Sequence, residues 1–213
     1  GLATVDISTG AFHVTETDRK GLAAELARLE PAELAAAEEF LADSDLRILA
    51  EQSGASLSPL GHEMTDEASM LTGVRLAVGT ACATVLGAVA SATIISYIAR
   101  TQRASHVPLQ FPSRVAQGGF LEIDAATRAN LEITRTLSGQ RSGSVLSVID
   151  RTVTAAGARL LMERLSSPLT DVAAIASRHD SVAYFATHTL LRRDIRDNLK
   201  GAPDLLRSLQ RLA

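Results

Sequence analysis

Three carboxylates near the start of the chain, Asp6, Glu25 and Glu33, are of a type that could perform chemistry. Ribonuclease-H-like nucleases place an aspartate on their first strand and bind two metal ions with further carboxylates, and these residues could imitate that set. Asp6, however, stands between Val5 and Ile7, one step from a predicted turn, and no later carboxylate has a distinctive setting. We therefore keep a magnesium-dependent nuclease, inactivated by Asp6→Asn, only as a minor alternative.

Patterns for other catalytic chemistry are missing from the sequence. A phosphate-binding loop of the Gly-x-x-x-x-Gly-Lys-Ser/Thr type needs Lys followed by Ser or Thr, but Lys20 and Lys200, the two lysines, are each followed by glycine. A Gly-x-Ser-x-Gly elbow is absent as well. The histidines show no metal-ligand spacing; they are His13, His62, His106, His179 and His188. We therefore predict no catalytic residue, no cofactor-binding residue and no metal ligand in this chain.

Composition favours helices and a reducing compartment. Of the 213 residues, 46% are apolar and none is Trp, so the core must be built from Leu, Ile, Val and Ala, of which Leu and Ala favour helix. The single cysteine, Cys82, lies in an apolar run and allows no disulfide within the chain. No basic region followed by an apolar one, as in a signal peptide, opens the chain. We expect both ends, at Gly1 and Ala213, to be cuts rather than natural termini.

Charge is distributed unevenly along the chain. The net charge of −3 divides into −6 for residues 1–120 (8 Lys and Arg, 14 Asp and Glu) and +3 for residues 121–213 (13 and 10). A surplus of three positive charges over the second part is ordinary for a solvated surface. Charge alone therefore favours such a surface over one that faces DNA.

The first third of the sequence mixes strand and helix signals. Alternating apolar residues around Ser8-Thr9-Gly10 predict a β-hairpin over residues 2–16. Thr17 or Asp18 should cap a helix that ends before Pro31. Residues 32–52 are rich in Ala, Glu and Leu and predict helix, whereas residues 53–73 predict a loop or linker.

A run without formal charge extends from Leu76 to Ala99, between Arg75 and Arg100. Its length would allow it to cross a bilayer. However, only eight of its residues are Leu, Ile or Val, most of the others are small, and no aromatic belt flanks the run beyond Tyr97. A buried helix is the favoured interpretation, and two helices broken near Gly87 would also fit. Residues 105–120 predict a loop.

The remainder of the chain predicts helices separated by clear breaks. Asp124 should cap a helix carrying Leu131, Ile133 and Leu137 that is broken at Gly139 and Gly143. Further helix starts are expected at Thr154, at Thr170 or Asp171, before Leu190 and at Asp204, with breaks at Pro168 and at Gly201-Ala202-Pro203.

Three segments of this helical part carry a family resemblance. Asp124-Ala-Ala-Thr-Arg-Ala-Asn130-Leu-Glu132 resembles the signature that opens the lever, or core, domain of MutS-type DNA mismatch-repair proteins. Asp150-Arg-Thr-Val-Thr154-Ala-Ala-Gly157-Ala-Arg159 and the later Pro168-Leu169 step resemble the run that follows it. Residues 175–182 and 204–213 are similar to the helices that come next in the family.

The start of the chain resembles the preceding domain of the same family, the connector. The segments Asp6-Ile-Ser-Thr-Gly10-Ala-Phe12 and Ala24-Glu25 to Pro31-Ala-Glu33 carry this likeness. Thr101-Gln102, after the apolar run, also matches the family. The resemblance implies an α+β protein in which residues 1–72 form part of a ribonuclease-H-like connector and residues 73–213 form the first part of a mainly helical lever. Glycine within a helix costs roughly 1 kcal/mol relative to Ala and is usually kept there for close contact between helices, so we expect such contact at Gly157. A tolerated surface glycine is the alternative.

The resemblance also implies a function. We expect a non-catalytic fragment that couples mismatched-DNA binding to an ATPase domain absent here, with ATP and magnesium required only by the full-length protein. The implied partners are double-stranded mismatched DNA, a MutL-type protein that contacts the connector, and a second copy of the full-length protein, in the bacterial cytoplasm at the nucleoid. Phe120-Leu121-Glu122 fits the family's Phe-x-Glu mismatch wedge, but its place beside Asp124 makes it a chance match. A membrane-associated helical signalling module around Leu76–Ala99 is the alternative of another class.

Overall fold

The computed structural model describes residues 1–62, 84–102, 107–115 and 118–212. The chain divides into two compact units, the first comprising Gly1–Gln117 with Leu209–Ala213 and the second Gly118–Ser208. The described strands are β1 Leu2–Asp6, β2 Ala11–Thr15, β3 Glu33–Ala37, β4 Ser56–Leu60 and β5 Ser113–Arg114. The described helices are α1 Arg19–Leu29, α2 Glu38–Ala42, α3 Ser44–Gln52, α4 Val85–Thr101, α5 Ala125–Asn130, α6 Val145–Ile149, α7 Ala155–Ser166, α8 Val172–Thr187, α9 Thr189–Leu199 and α10 Leu205–Leu212. This combination confirms the α+β fold class.

The predicted hairpin is confirmed as the antiparallel pair β1 and β2. The carboxylate of Asp6 closes the turn by accepting hydrogen bonds from the Ser8 backbone N–H (2.8 Å), the Ser8 hydroxyl (2.7 Å) and the Thr9 hydroxyl (2.9 Å). Gly10, with φ of 71°, supplies the left-handed position that the turn needs. The short strand β5 pairs in parallel with β2, within a segment that the sequence predicts as loop.

The first helix follows its sequence signals closely. Asp18 is the N-cap of α1 and accepts from the backbone N–H of Gly21 at 2.8 Å. The helix ends at Glu30, whose φ of 43° is left-handed and whose N–H donates to the carbonyl of Leu26. Pro31 follows and cannot continue the helix.

The prediction of helix throughout residues 32–52, followed by a loop, is wrong in part. Glu33–Ala37 forms β3, which pairs in parallel with β4 over five positions, and β4 lies inside the predicted loop. Ala, Glu and Leu favour helix by only a few tenths of a kcal/mol each, so a partner strand from distant sequence outweighs them. Helices α2 and α3 then occupy the rest of the segment.

The core of the first unit forms where α4 covers the hairpin. Phe12 and Val14 of β2 are buried, and Ala88 and Ile94 of α4 pack against them. Gly87 lies in the first turn of α4, where a Cβ would come within 3.1 Å of Val14 Cγ1. A helix is thus confirmed over residues 85–99, but it is buried on one side only, because Val85 and Leu86 are 64% and 61% exposed. Residues 76–83, including Cys82, lie outside the described residues, so the alternative of two helices broken near Gly87 stays a prediction. Within the described ranges, no helix is long and apolar enough to cross a membrane.

The second unit consists of short and medium helices joined by turns. Asp124 caps α5, as predicted, by accepting from the Thr127 N–H at 2.8 Å and its hydroxyl at 2.7 Å. The helix does not continue through Leu131 to Gly139 as expected. Glu132 adopts a left-handed φ of 47°, and its side chain accepts from the N–H of Leu137 at 2.7 Å, so the chain leaves the helix there.

The sequence correctly places the starts of α7, α8, α9 and α10, but it predicts no helix at α6. Thr154 caps α7 and Asp171 caps α8, in each case through the backbone N–H three residues later. The expectation of close helix contact at Gly157 is wrong. A Cβ there would meet Thr154 Oγ1 at 2.9 Å and Thr152 Cβ at 3.6 Å, so the glycine leaves room for the cap of its own helix.

Candidate functional site

The structure does not bring the three candidate nuclease carboxylates together. Asp6 is used in the hairpin turn, Glu25 forms an ion pair with Arg28 at 2.6 Å, and Glu33 accepts hydrogen bonds at the edge of the β3–β4 sheet. Across the described part of the chain, no group of three or more His, Cys, Asp or Glu residues could hold a metal ion. Nothing in the fold favours the nuclease alternative.

The histidines occupy separate local settings. His13 Nδ1 lies 2.6 Å from the hydroxyl of Ser113, His62 pairs with Glu39 at 2.8 Å, and His188 stacks on the ring of Tyr184. His179 is exposed on α8, and His106 lies outside the described residues. These positions show no shared centre.

The wedge look-alike Phe120-Leu121-Glu122 also has a structural role. Phe120 forms an isolated antiparallel bridge with Leu169, and the N–H of Leu121 donates to the carbonyl of Pro168 at 2.8 Å. These bonds hold the segment against the turn between α7 and α8.

A polar cluster that the sequence did not reveal joins three elements of the first unit. Glu33 of β3 accepts from the hydroxyls of Ser58 on β4 (2.6 Å) and Tyr97 on α4. The bond from Ser58, followed by that from Tyr97, lowers the pKa of Glu33, and the bond to Glu33 raises the pKa of Tyr97. The cluster therefore ties α4 to the parallel sheet. The separation of 64 positions between Glu33 and Tyr97 hides the cluster from sequence reasoning, because no local motif contains both residues.

The second unit begins with a set of links that we call the N-terminal clasp, formed between residues 118–128 and residues 166–170. Besides the bridge already described, the Thr170 hydroxyl donates to the carbonyl of Gly118 at 2.5 Å. Arg128, only 7% exposed, donates from Nη1 to the carbonyl of Ser166 at 2.9 Å. The clasp thus attaches the start of the unit to the C-terminal end of α7.

A second link joins α7 to the start of α10. Arg159 donates from Nη1 and Nη2 to the two carboxylate oxygens of Asp204, at 2.7 and 2.8 Å. This bidentate pair is the geometry in which Arg and carboxylate interact most strongly. The hydrogen bond from Arg159 is the main cause that lowers the pKa of Asp204 to about 2, so the ion pair persists well into the acidic range. Both side chains are mostly covered, at 24% and 19% exposed.

Helix α7 is therefore held at two points along its length. Arg159 and Ser166 are seven residues apart, which corresponds to roughly 10 Å along a helix axis. A displacement of the clasp must move the backbone of α7, and α7 carries Arg159 and with it the start of α10. Sequence reasoning placed Arg159 and Asp204 within separate motifs and did not connect them.

The fold and these links define a two-unit α+β protein whose polar side chains serve as structural connectors between elements. Comparison with known families then identifies it more closely. The family model described as MutS domain II matches residues 1–110, and the model described as MutS domain III matches residues 126–213. The chain belongs to the MutS family of mismatch-repair proteins, as the sequence resemblance indicated.

Curated relatives carry the same likeness over the whole chain. The DNA mismatch repair protein MutS of Azorhizobium caulinodans is 44% identical over 218 residues, and those of Nitrobacter hamburgensis and Rhodopseudomonas palustris are 45% identical over 218 and 219 residues. Each alignment covers 100% of this chain but only 23–24% of the relative. The chain thus spans about a quarter of the length of these proteins and corresponds to their domains II and III, the connector and lever parts. The domain division after residue 72 falls outside the described residues and stays a prediction.

Proposed function

We propose that this chain is a non-catalytic part of a mismatch-repair protein and that it couples binding of mismatched DNA to an ATPase located elsewhere in the full-length protein. The observation that carries the proposal is the double attachment of α7, at the N-terminal clasp and at Asp204. A helix held at two points passes on a displacement as a rigid body instead of absorbing it, which is how packed helices transmit a shift over long distances. Family membership supplies the context for this mechanical role.

The chemistry of the full-length protein belongs to other segments in this proposal. The sequence contains no lysine followed by Ser or Thr, so a phosphate-binding loop cannot be built from these residues. ATP and magnesium are accordingly assigned to the full-length protein and not to this chain. The curated relatives are named for DNA mismatch repair, which supports double-stranded mismatched DNA as the substrate.

The proposal extends to partners and location. We assign contact with a MutL-type protein to the connector part of the chain. Dimerisation is assigned to the full-length protein, and the site of action is the bacterial cytoplasm at the nucleoid. These assignments rest on membership of the family. By themselves, the two domains should bind matched and mismatched duplexes with equal and weak affinity, and a tight, mismatch-selective gel shift by this chain alone would contradict the proposal.

The coupling is tested in the full-length protein with the variant Arg159→Ala. The expected result is that mismatched DNA binds as before but no longer alters the rate of ATP hydrolysis, because α7 has lost its attachment to α10. Lys200→Ala is the matched control, since it removes an exposed ion pair with Asp197 on α9 and leaves both attachments of α7 intact. Normal coupling in Arg159→Ala, with the variant folded, would refute the mechanical role of this link.

A further inference from the structure

One segment of the first unit accompanies strand β2 from the hairpin turn onward. Residues 107–115, which we call the strap, come after α4 in the chain and include β5. Gln110 donates its backbone N–H to the carbonyl of Gly10 at 2.8 Å and its side-chain Nε2 to the carbonyl of Thr9 at 3.2 Å. Both carbonyls belong to the turn that the carboxylate of Asp6 closes. The attachment of the strap therefore begins at the tip of the hairpin.

The other end of the strap is held by a second set of contacts. The hydroxyl of Ser113 lies 2.6 Å from Nδ1 of His13 and 3.4 Å from the carbonyl of Phe12. The backbone N–H of Val115 donates to the carbonyl of Val14 at 2.9 Å. These bonds accompany the parallel pairing of β5 with β2. The strap is thus fixed to the hairpin along the length of β2 and not at one point.

The strap is also stiff and partly embedded. Leu109 packs against the core formed by Phe12 and Val14, and Pro112 is buried. Each proline ring, at Pro108 and Pro112, fixes φ and so removes one of the two rotations of its residue. A displacement of the hairpin should therefore carry the strap with it, because the strap has little freedom to yield.

The strap ends close to the N-terminal clasp in the sequence. Between Val115 and Gly118, the first residue of the clasp, the chain has only Ala116 and Gln117. The three Cα–Cα steps from Val115 to Gly118 span at most about 11 Å. This limit comes from covalent geometry and holds for any arrangement of the two units. The bonds of the strap and the bonds of the clasp are thus joined by a tether of at most that length.

We propose that the strap is a positioning device that makes the connector hairpin part of the coupling route, by passing a displacement of the hairpin through the clasp to α7. Gln110 and Ser113 are the positioning residues, because their side chains hold the strap near the two ends of β2. The proposal rests on the coupling function proposed above and extends it to the first unit. It requires the strap to stay attached, since a loose, flexible segment absorbs a displacement instead of transmitting it.

The most direct test adds slack to the tether in the full-length protein. Insertion of Gly-Ser-Gly-Ser between Ala116 and Gln117 adds up to about 14 Å of reach and leaves the residues of the strap and the clasp unchanged. Basal ATP hydrolysis and binding of mismatched DNA should stay as in wild type. The change in hydrolysis rate that mismatched DNA causes should fall at least about fivefold.

A matched insertion controls for the added residues themselves. The same four residues are placed after Gly54, a turn glycine at which an added Cβ would meet no atom within 4 Å. This turn lies in the first unit but outside the strap, so coupling should be normal. Equal losses of coupling after the insertions at Ala116 and at Gly54 would indicate general damage and would refute the strap.

Side-chain variants test the two named residues. The double variant Gln110→Ala, Ser113→Ala should speed hydrogen exchange in the strap about tenfold and lower the coupling as the insertion does. Ser113→Thr keeps a hydroxyl and should couple like wild type. Ser58→Ala is the control, because it also removes a hydroxyl contact of 2.6 Å within the first unit but lies outside the strap. A loss of coupling in Ser58→Ala as large as in the double variant would contradict the special role of the strap.

A disulfide lock shows whether the strap must stay attached. His13 and Ser113 are paired on neighbouring parallel strands, and their side chains meet. The spacing of paired strands suits a disulfide, so His13→Cys with Ser113→Cys should crosslink the strap to β2. The oxidised lock should couple at least as well as wild type. Coupling that is lost in the oxidised lock and returns on reduction would overturn the proposal, because the strap would then work by detaching.

The outcomes also separate the strap from the coupling function itself. Normal coupling after the insertion at Ala116, together with lost coupling in Arg159→Ala, would remove the strap and retain the function. Normal coupling in both proteins would remove both proposals.

Discussion

The two units of this chain are held together in different ways. In the first, Phe12 and Val14 are each 2% exposed beneath α4, and the unit is organised around apolar burial. In the second, the described part buries few apolar side chains, and Val172 and Leu190 are 77% and 68% exposed on α8 and α9. Its long-range links are the N-terminal clasp and the pair between Arg159 and Asp204. Within this chain, which spans about a quarter of its relatives' length, the difference teaches that the first unit has its own apolar core, whereas the links traced across the second unit are directional bonds.

The first prediction tests the apolar half of this comparison and has the largest expected effect. Phe12→Ala should lower the free energy of unfolding of the first unit by about 3–5 kcal/mol, through lost burial and the cavity that remains. Hydrogen exchange, read separately for peptides of each unit, should show faster exchange in β1, β2 and α4. Phe111→Ala is the control, because Phe111 is 85% exposed and its loss should change little. Equal acceleration in the second unit would show that the two units do not have separate stability.

A second prediction concerns local bonds in the second unit. Thr154→Ala should destabilise α7 by about 1 kcal/mol, because the hydroxyl of Thr154 accepts from the N–H of Gly157 at 3.0 Å and caps the helix. Thr154→Ser retains the hydroxyl and should behave like wild type. Faster hydrogen exchange in α7 for the alanine variant alone is the expected readout, and a similar loss in both variants would point to the methyl group instead of the cap.

The polar cluster of the first unit should contribute less than its core. Tyr97→Phe removes one hydrogen bond to Glu33 and should cost about 0.5–1.5 kcal/mol, measured by denaturant unfolding of the first unit. It should also move the pKa of Glu33 back toward its ordinary value, since the Tyr97 bond is one cause of its lowering. Tyr184→Phe is the comparison variant, with a hydroxyl that makes no hydrogen bond within the described residues. An effect of Tyr184→Phe as large as that of Tyr97→Phe would show that the hydroxyl contact is not responsible.

The last prediction concerns pH, and it distinguishes the second unit from the first. The pKa of Asp204 lies near 2 in the folded protein and near 3.8 in the unfolded chain, so the pair with Arg159 stabilises above pH 3.8. That contribution is lost as the pH falls from 3.8 through about 2. Protection of α10 against hydrogen exchange should fall over this range in wild type, and Asp204→Asn should flatten the dependence. An unchanged slope in Asp204→Asn would assign the acid sensitivity to other carboxylates.

Sequence reasoning succeeded where the signals are local. The caps at Asp18, Asp124 and Thr154 were predicted because a side-chain oxygen three residues before a free N–H acts within one turn of helix. It failed for residues 33–37, where Ala and Glu favour helix but β4 supplies a partner strand. It failed again at Glu132, since the sequence offers no sign that a non-glycine residue adopts a left-handed φ.

Family, fold class and the positions of most caps were thus determined by the sequence itself, because motifs, composition and capping residues act over a few neighbouring positions. The absence of a phosphate-binding loop was equally a property of the sequence. Only the tertiary structure decided that Arg159 meets Asp204 and that Tyr97 meets Glu33. Contacts between residues far apart in the chain depend on how the intervening helices and strands pack, and that packing is not written in the spacing of any one motif.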